Sequence, residues 1–315
     1  RCGAGAPRPP GRRDATRKER TAPAGAGDGF PSAGWKAMPG WSKPRSSVQG
    51  PLVGKVADAY RACTMPELPE VETVRSGLAE RMVGEVLESV EVRHPGVLEG
   101  CTARDLAGLA GSRVAAVERR AKYLLIRLGD GDRRSTLVVH LGMTGQLTWK
   151  AADEPTTDVF KRLVSGYRKS VGAHGVDSHT HLVAKSASGG SLLFRDPRRF
   201  GRVLLLGAVA DESCPRLSRL GPDAWRADPA AMASILLARC GRRSVKAVLL
   251  DQTVLAGIGN IYADESCFAA KIRPDRILSG VSRARLAALA RSIDRVLDKG
   301  VRNAGTSFRD FVGSD

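Results

Sequence analysis

The 315-residue sequence lacks several of the features that would place it in common classes. Its six cysteines (Cys2, Cys63, Cys101, Cys214, Cys240 and Cys267) are so widely spread that the closest pair is 26 positions apart. No Cys-x-x-Cys unit exists, so the ligands of a zinc finger are missing and a reduced intracellular compartment is the expected home. No run of about 18 apolar residues and no signal peptide with an apolar centre is visible, which removes a membrane-spanning or secreted reading. Acidic residues are few beside basic ones. Fifty Lys and Arg against 33 Asp and Glu give a formal charge of +17, and that balance favours a polyanionic partner: nucleic acid first, an anionic membrane surface second. With 42% hydrophobic and 26% charged residues, the chain is long and apolar enough for two domains with cores of their own.

The charge is unevenly placed. Residues 1–64 hold 12 basic and 4 acidic side chains, about half of the excess, together with 8 Pro and 10 Gly. Such a composition without a period reads as disordered or as a non-native extension, for instance translation from an upstream start. Met65 is then the expected first residue of the working protein. From there Pro66-Glu67-Leu68-Pro69-Glu70-Val71-Glu72-Thr73-Val74 opens a helix: Pro69 suits the first turn, acids crowd the positive end of the dipole, and Val71, Val74, Leu78 and Met82 form an apolar stripe.

Short Val- and Leu-rich runs at 86–92, 113–117, 123–128, 136–141, 191–194 and 202–206, separated by turn signals such as Gly129-Asp130-Gly131 and Ser188-Gly189-Gly190, predict an antiparallel sandwich or barrel. Residues 151–178 fit neither period and read as a long insertion. Beyond Gly207 the pattern becomes helical at 229–239, 244–250 and 281–297. Between the last two, Gly257-Ile258-Gly259-Asn260 leads into a further helix, a turn of the kind that lets backbone N–H groups approach a phosphate. The fold class is therefore α+β: an N-terminal β-sandwich domain with a flanking helix over 65–208, a linker over 209–222, and a helical domain over 223–315.

Several motifs coincide in order and spacing. Met65-Pro66-Glu67-Leu68-Pro69-Glu70, Arg119-Arg120-Ala121-Lys122-Tyr123, His140-Leu141-Gly142-Met143-Thr144-Gly145, Asp196-Pro197-Arg198-Arg199-Phe200-Gly201 and the Gly257–Glu265 segment closely resemble those of the bacterial formamidopyrimidine-DNA glycosylases. The resemblance covers residues 65–315. It implies a helix-two-turns-helix element in the helical domain, damaged double-stranded DNA lying between the two domains, and a monomeric bacterial cytoplasmic enzyme associated with the nucleoid. The implied activity is base-excision repair: removal of 8-oxoguanine and formamidopyrimidines, followed by strand cleavage through β,δ-elimination.

The resemblance also assigns residues. Pro66 is the nucleophile, acting through its amino group as an N-terminal residue. Glu67 is the general acid/base, with Glu70 a possible support, and Lys122, read as part of a strand, contacts the phosphate near the lesion and assists elimination. His179, Arg198, Arg242 and Asn260 bind DNA. Met143, Arg198 and Phe200 fill the stack when the damaged base is extruded, and Arg198 also reads the orphaned cytosine.

The resemblance implies one structural zinc ion in a C-terminal finger of two Cys-x-x-Cys pairs, whose ligands this chain does not contain. That departure predicts a truncated protein with weaker DNA binding. Two other expectations stand beside the first: a catalytically impaired DNA-binding protein of the same fold, and an endonuclease VIII-like glycosylase for oxidised pyrimidines.

Overall fold

A computed structural model describes residues 66–129, 134–152, 176–208, 211–239 and 241–303. The extension 1–64, Met65, most of the 151–178 insertion and the Gly305–Phe308 segment lie outside the described residues.

Helix α1 (Leu68–Met82) comes first. Strand β1 (Leu87–Val92) and the short helix α2 (Ala103–Ala107) follow. Next come β2 (Val114–Arg120), β3 (Tyr123–Leu128), β4 (Ser135–His140) and β5 (Gln146–Lys150). After the insertion, β6 (Thr180–Ser186), β7 (Ser191–Arg195) and β8 (Arg202–Leu206) complete two four-stranded sheets. Their orders are β1-β6-β7-β5 and β2-β3-β4-β8, and every pairing is antiparallel. Val90, Leu147, Trp149, Leu182, Leu192 and Phe194 of the first sheet meet Val117, Leu124, Ile126, Leu137, Val139 and Val203 of the second in one core. The expected sandwich is present.

β3 is buried almost throughout because both of its faces are covered. Leu124 and Ile126 point into the sandwich, while Leu125 packs outward with Val138, Leu204, Cys214 and Leu217. The covering residues come from a short helix, α3 (Pro215–Ser218), inside the segment read as a linker. Burial on two faces is why this strand reads as a continuous apolar run without alternation.

Two strands escape the sequence patterning. β5 is a five-residue strand of which only Leu147 and Trp149 are buried, and β6 begins with Thr180 and His181 at the edge of the insertion. One expected strand residue is displaced. β2 and β3 pair through Arg120 and Tyr123, so Lys122 occupies the hairpin turn instead of the strand interior, beside Ala121 with φ of +54°.

The helical part contains α4 (Pro229–Ala238), α5 (Val245–Leu249), α6 (Asn260–Ala269) and α7 (Arg283–Arg302). Asp228 and Ser282 cap α4 and α7 by accepting the backbone N–H of Ala231 and Arg285. Leu286, Leu289, Ala290, Ile293 and Leu297 line the buried face of α7. Leu68 joins this second core, whereas Val71, Leu78 and Met82 of the same α1 belong to the first. One helix is thus shared by both cores.

A buried ionic cluster reinforces that link. Arg119, with a side chain 7% exposed, reaches Glu72 of α1 through Nε at 2.8 Å and Asp223 through Nη1 at 2.6 Å. The Asp223 carboxylate also accepts the Ala121 N–H at 2.9 Å, and the Ala121 carbonyl accepts from Arg119 at 2.9 Å. The turn carrying Lys122 is therefore fixed through both backbone polar groups of its first residue, Ala121. Replacing Arg119 by Met removes the cation and leaves two carboxylates without it; urea unfolding should show a loss of about 3–5 kcal/mol.

Candidate active site and DNA-facing loops

Pro66 and Glu67 precede the first turn of α1, where the helix enters the second core. The Glu67 side chain is 2% exposed. Its carboxylate accepts backbone N–H groups from Gly259 at 2.7 Å, Ile261 at 2.9 Å and Tyr262 at 3.4 Å. These are the orphan donors at the start of α6. Gly259 is required by this approach, because a Cβ there would fall on the Glu67 carboxylate. Glu70 completes the clasp, accepting the Glu67 N–H at 3.0 Å and the Tyr262 hydroxyl at 2.8 Å.

Lys122 faces this cluster from the β2–β3 turn, close enough that its charge acts on Glu67 and is acted on by Glu67 and Glu70. Burial raises the Glu67 carboxyl above the ordinary carboxylate range, outweighing both the Lys122 charge and the backbone N–H groups that favour ionisation. Burial likewise lowers the Lys122 ammonium, against the pull of the two carboxylates. The two groups are thus brought nearer in proton affinity than they would be in water.

His140, opposite Tyr123 in the β3–β4 ladder, is a motif residue to which the sequence gave no role. Its ring centroid lies 4.8 Å from that of Tyr123, and its Nδ1 accepts the Gly142 N–H at 3.1 Å. Burial, followed by the Lys122 charge, pushes its pKa down to about 4, so it is neutral at physiological pH. It ties the start of the Met143 turn to the Lys122 hairpin.

Met143, Arg198 and Phe200 form a second group on two adjoining loops. Met143 is half-buried. Phe200 is 49% exposed, and the Arg198 guanidinium lies 4.9 Å from the centre of its ring. His179 is half-buried just before β6, with its carbonyl accepting the Asp196 N–H at 2.9 Å. The second histidine of the pair, His181, is a core residue whose Nε2 bonds the Asp196 carbonyl at 2.7 Å. Asn260 is exposed as the first residue of α6, on the turn that holds Glu67. Arg242 is exposed in the turn before α5; its neighbour Arg243 is engaged by Asp251 at 2.7 Å.

The structure thus gathers Pro66, Glu67, Glu70, Lys122 and Asn260 around the entry of α1, and Met143, His179, Arg198 and Phe200 on the sandwich loops. The motifs included Arg119, His140, Asp196 and Tyr262 without giving them a role, and Asp223 was not singled out at all. Only the Gly257-Ile258-Gly259 signal hinted at the N–H cradle, and it suggested a phosphate where a side-chain carboxylate sits. Among the described residues no group of three or more His, Cys, Asp or Glu side chains is placed to hold a metal ion.

The comparisons with known proteins agree along most of the chain. Residues 65–203 match the Formamidopyrimidine-DNA glycosylase N-terminal domain, and residues 220–312 match the Formamidopyrimidine-DNA glycosylase H2TH domain. The chain is 42% identical over 253 residues to the formamidopyrimidine-DNA glycosylase of Moorella thermoacetica, covering 79% of this chain and 82% of that protein. It is also 42% identical over 248 residues to the enzyme of the same name from Halorhodospira halophila, covering 79% and 83%. Among solved structures, a complex of Lactococcus lactis Fpg with DNA containing an abasic site superposes with a TM-score of 0.64 at 30% identity, over 78% of this chain and 81% of that one. The complex of the wild-type Lactococcus lactis protein with DNA containing N7-benzyl-Fapy-dG gives 0.63 at 31% identity, over 78% and 82%.

The tight seat of the Glu67 carboxylate yields a direct test. Gly259→Ala should displace the carboxylate and destabilise the fold by about 1–3 kcal/mol, measured by thermal and urea denaturation.

Proposed function

The chain belongs to the formamidopyrimidine-DNA glycosylase family, and from that premise we propose that it excises oxidised purines, 8-oxoguanine and formamidopyrimidines, from duplex DNA and then cleaves the strand. The observation that carries this reading is the position of Glu67: adjacent to Pro66, buried, with raised proton affinity and under the charge of Lys122. A carboxyl so placed can deliver a proton to the sugar ring oxygen as the glycosidic bond breaks and take part in proton movement during elimination.

Pro66 supplies the nucleophile. The secondary amine attacks C1′ as the base departs and loses its proton to give an aminal; cleavage of the C1′–O4′ bond, with the ring oxygen taking up a proton, then leaves an iminium that has no N–H proton to lose and serves as the electron sink for elimination of the flanking phosphates. This chemistry needs a free amine, with a pKa of about 8 for an unperturbed terminus; in the sequence as written, a peptide bond to Met65 occupies that nitrogen. The active form is accordingly the one that begins at Pro66. Lys122 and Asn260 hold the phosphates next to the lesion, with His179 and Arg242 as further backbone contacts. Arg198, Met143 and Phe200 occupy the gap left by the extruded base. No step is routed through a metal ion. No helix among the described residues is long and apolar enough to cross a membrane.

A form whose Pro66 nitrogen stays acylated would bind DNA without catalysis. Borohydride trapping on an 8-oxoguanine:cytosine duplex separates the two cases. Protein beginning at Pro66 should give a covalent adduct that maps to that residue, and Pro66→Gly should trap poorly; equal trapping by the variant would remove Pro66 as the nucleophile. Glu67→Gln should slow single-turnover excision about 10²–10⁴-fold. Because Glu67 acts as a proton donor in excision, the parental rate should fall as pH rises through its elevated pKa, and the variant should lack that limb. Phe200→Ala should leave stability within about 0.5 kcal/mol while excision slows.

A further inference from the structure

Asp196 has no part in the chemistry above, yet its side chain is wholly buried beneath the two loops that carry Met143, Arg198 and Phe200. Its carboxylate collects donors from both. The Thr144 hydroxyl donates from the Met143 turn at 2.5 Å, and the N–H groups of Arg198 and Gly201 donate from its own loop at 3.2 and 2.7 Å. The backbone of Asp196 is held in turn by the core, through His181 Nε2 on its carbonyl and the His179 carbonyl on its N–H.

Packing enforces the same alignment. Gly142 has φ of +66°, and a Cβ there would lie 2.6 Å from both the Gly201 nitrogen and the Phe200 carbonyl carbon. The two loops therefore touch backbone to backbone, with a buried carboxylate bonded to each. Exposed side chains that must enter a base stack lose rotamer freedom when they do so, and a rigid mount removes the backbone share of that cost.

Given the stack-filling role assigned to these loops under the proposed function, we propose that Asp196 is a positioning residue that fuses them into one preformed wedge, with the Thr144 hydroxyl as the bridge. Met143, Arg198 and Phe200 then enter the duplex as a unit. Loss of the bridge lets the Met143 turn move independently of the Arg198–Phe200 loop and slows insertion without altering phosphate contacts.

Asp196→Ala endangers folding, so the informative variant is Thr144→Val, which keeps the shape and deletes the hydroxyl, with Thr144→Ser restoring it. The probe is a duplex bearing 8-oxoguanine beside 2-aminopurine, whose fluorescence in stopped flow reports unstacking and filling before any bond is broken. Thr144→Val should slow that phase about tenfold, the scale of one hydrogen bond to a charged group. Affinity for undamaged duplex should stay within twofold, and Thr144→Ser should recover the parental rate.

In the Phe200→Ala background, Thr144→Val should add little, because a wedge without its tip gains nothing from a stiff mount. A parental insertion rate in Thr144→Val, with Phe200→Ala clearly slowed, would overturn the clasp alone. A parental rate in Phe200→Ala would instead overturn the wedge reading on which the clasp rests. Equal loss of insertion and of undamaged-duplex binding in Thr144→Val would mark general damage to the loops and also count against the proposal.

Discussion

One carboxylate, that of Glu67, is enclosed by the first N–H groups of a helix whose N-cap, Gly259, lies 192 positions later. The geometry of the site radiates from this contact. It fixes the entry of α1 against α6, demands Gly259 at the point of closest approach, and places Pro66 at the edge of the same cradle. Glu70 and Tyr262 tighten it from the first turn of each helix. A helix start that elsewhere would receive a phosphate or a capping side chain here receives the proposed acid/base itself. The group is held in place by the same bonds that stabilise its charged form.

Burial opposes those bonds, and the balance decides the chemistry. Glu67 is raised and Lys122 is lowered by the same desolvation, while His140 is kept neutral beside them. The large formal charge of the chain contributes little at this point, where one ammonium faces two carboxylates. Long-range attraction to a polyanion and local proton management are thus separate properties of the sequence.

Much of the architecture was legible because its signals are local. β3 and β8 follow directly from their apolar runs, and α4, α5 and α7 from the helical spacing of their apolar residues. β5 and β6 were not, since the first is short and half polar and the second starts on Thr-His beside the insertion. Lys122 was assigned to a strand because nothing in Arg-Arg-Ala-Lys-Tyr announces a turn; only the positive φ of Ala121 does. The candidate site was legible through motif order, which named the side chains at the entry of α1. The backbone donors that hold Glu67, and the reason Asp196 is buried, depend on contacts between segments far apart in the chain. No window of sequence contains them.

The long separation between Glu67 and its cradle bears on how the protein is made. Closing a contact across 192 positions costs more chain entropy than closing one between near neighbours, so other contacts must first bring its ends together. The sandwich strands and the capped helices can each form from nearer neighbours, but the proposed acid/base acquires its environment only when α1 has docked on α6. A newly synthesised or partly unfolded molecule would carry a solvated, ordinary glutamate. Competence for the proposed chemistry is therefore tied to completion of the fold, since an organised sheet alone would not assemble the environment of Glu67.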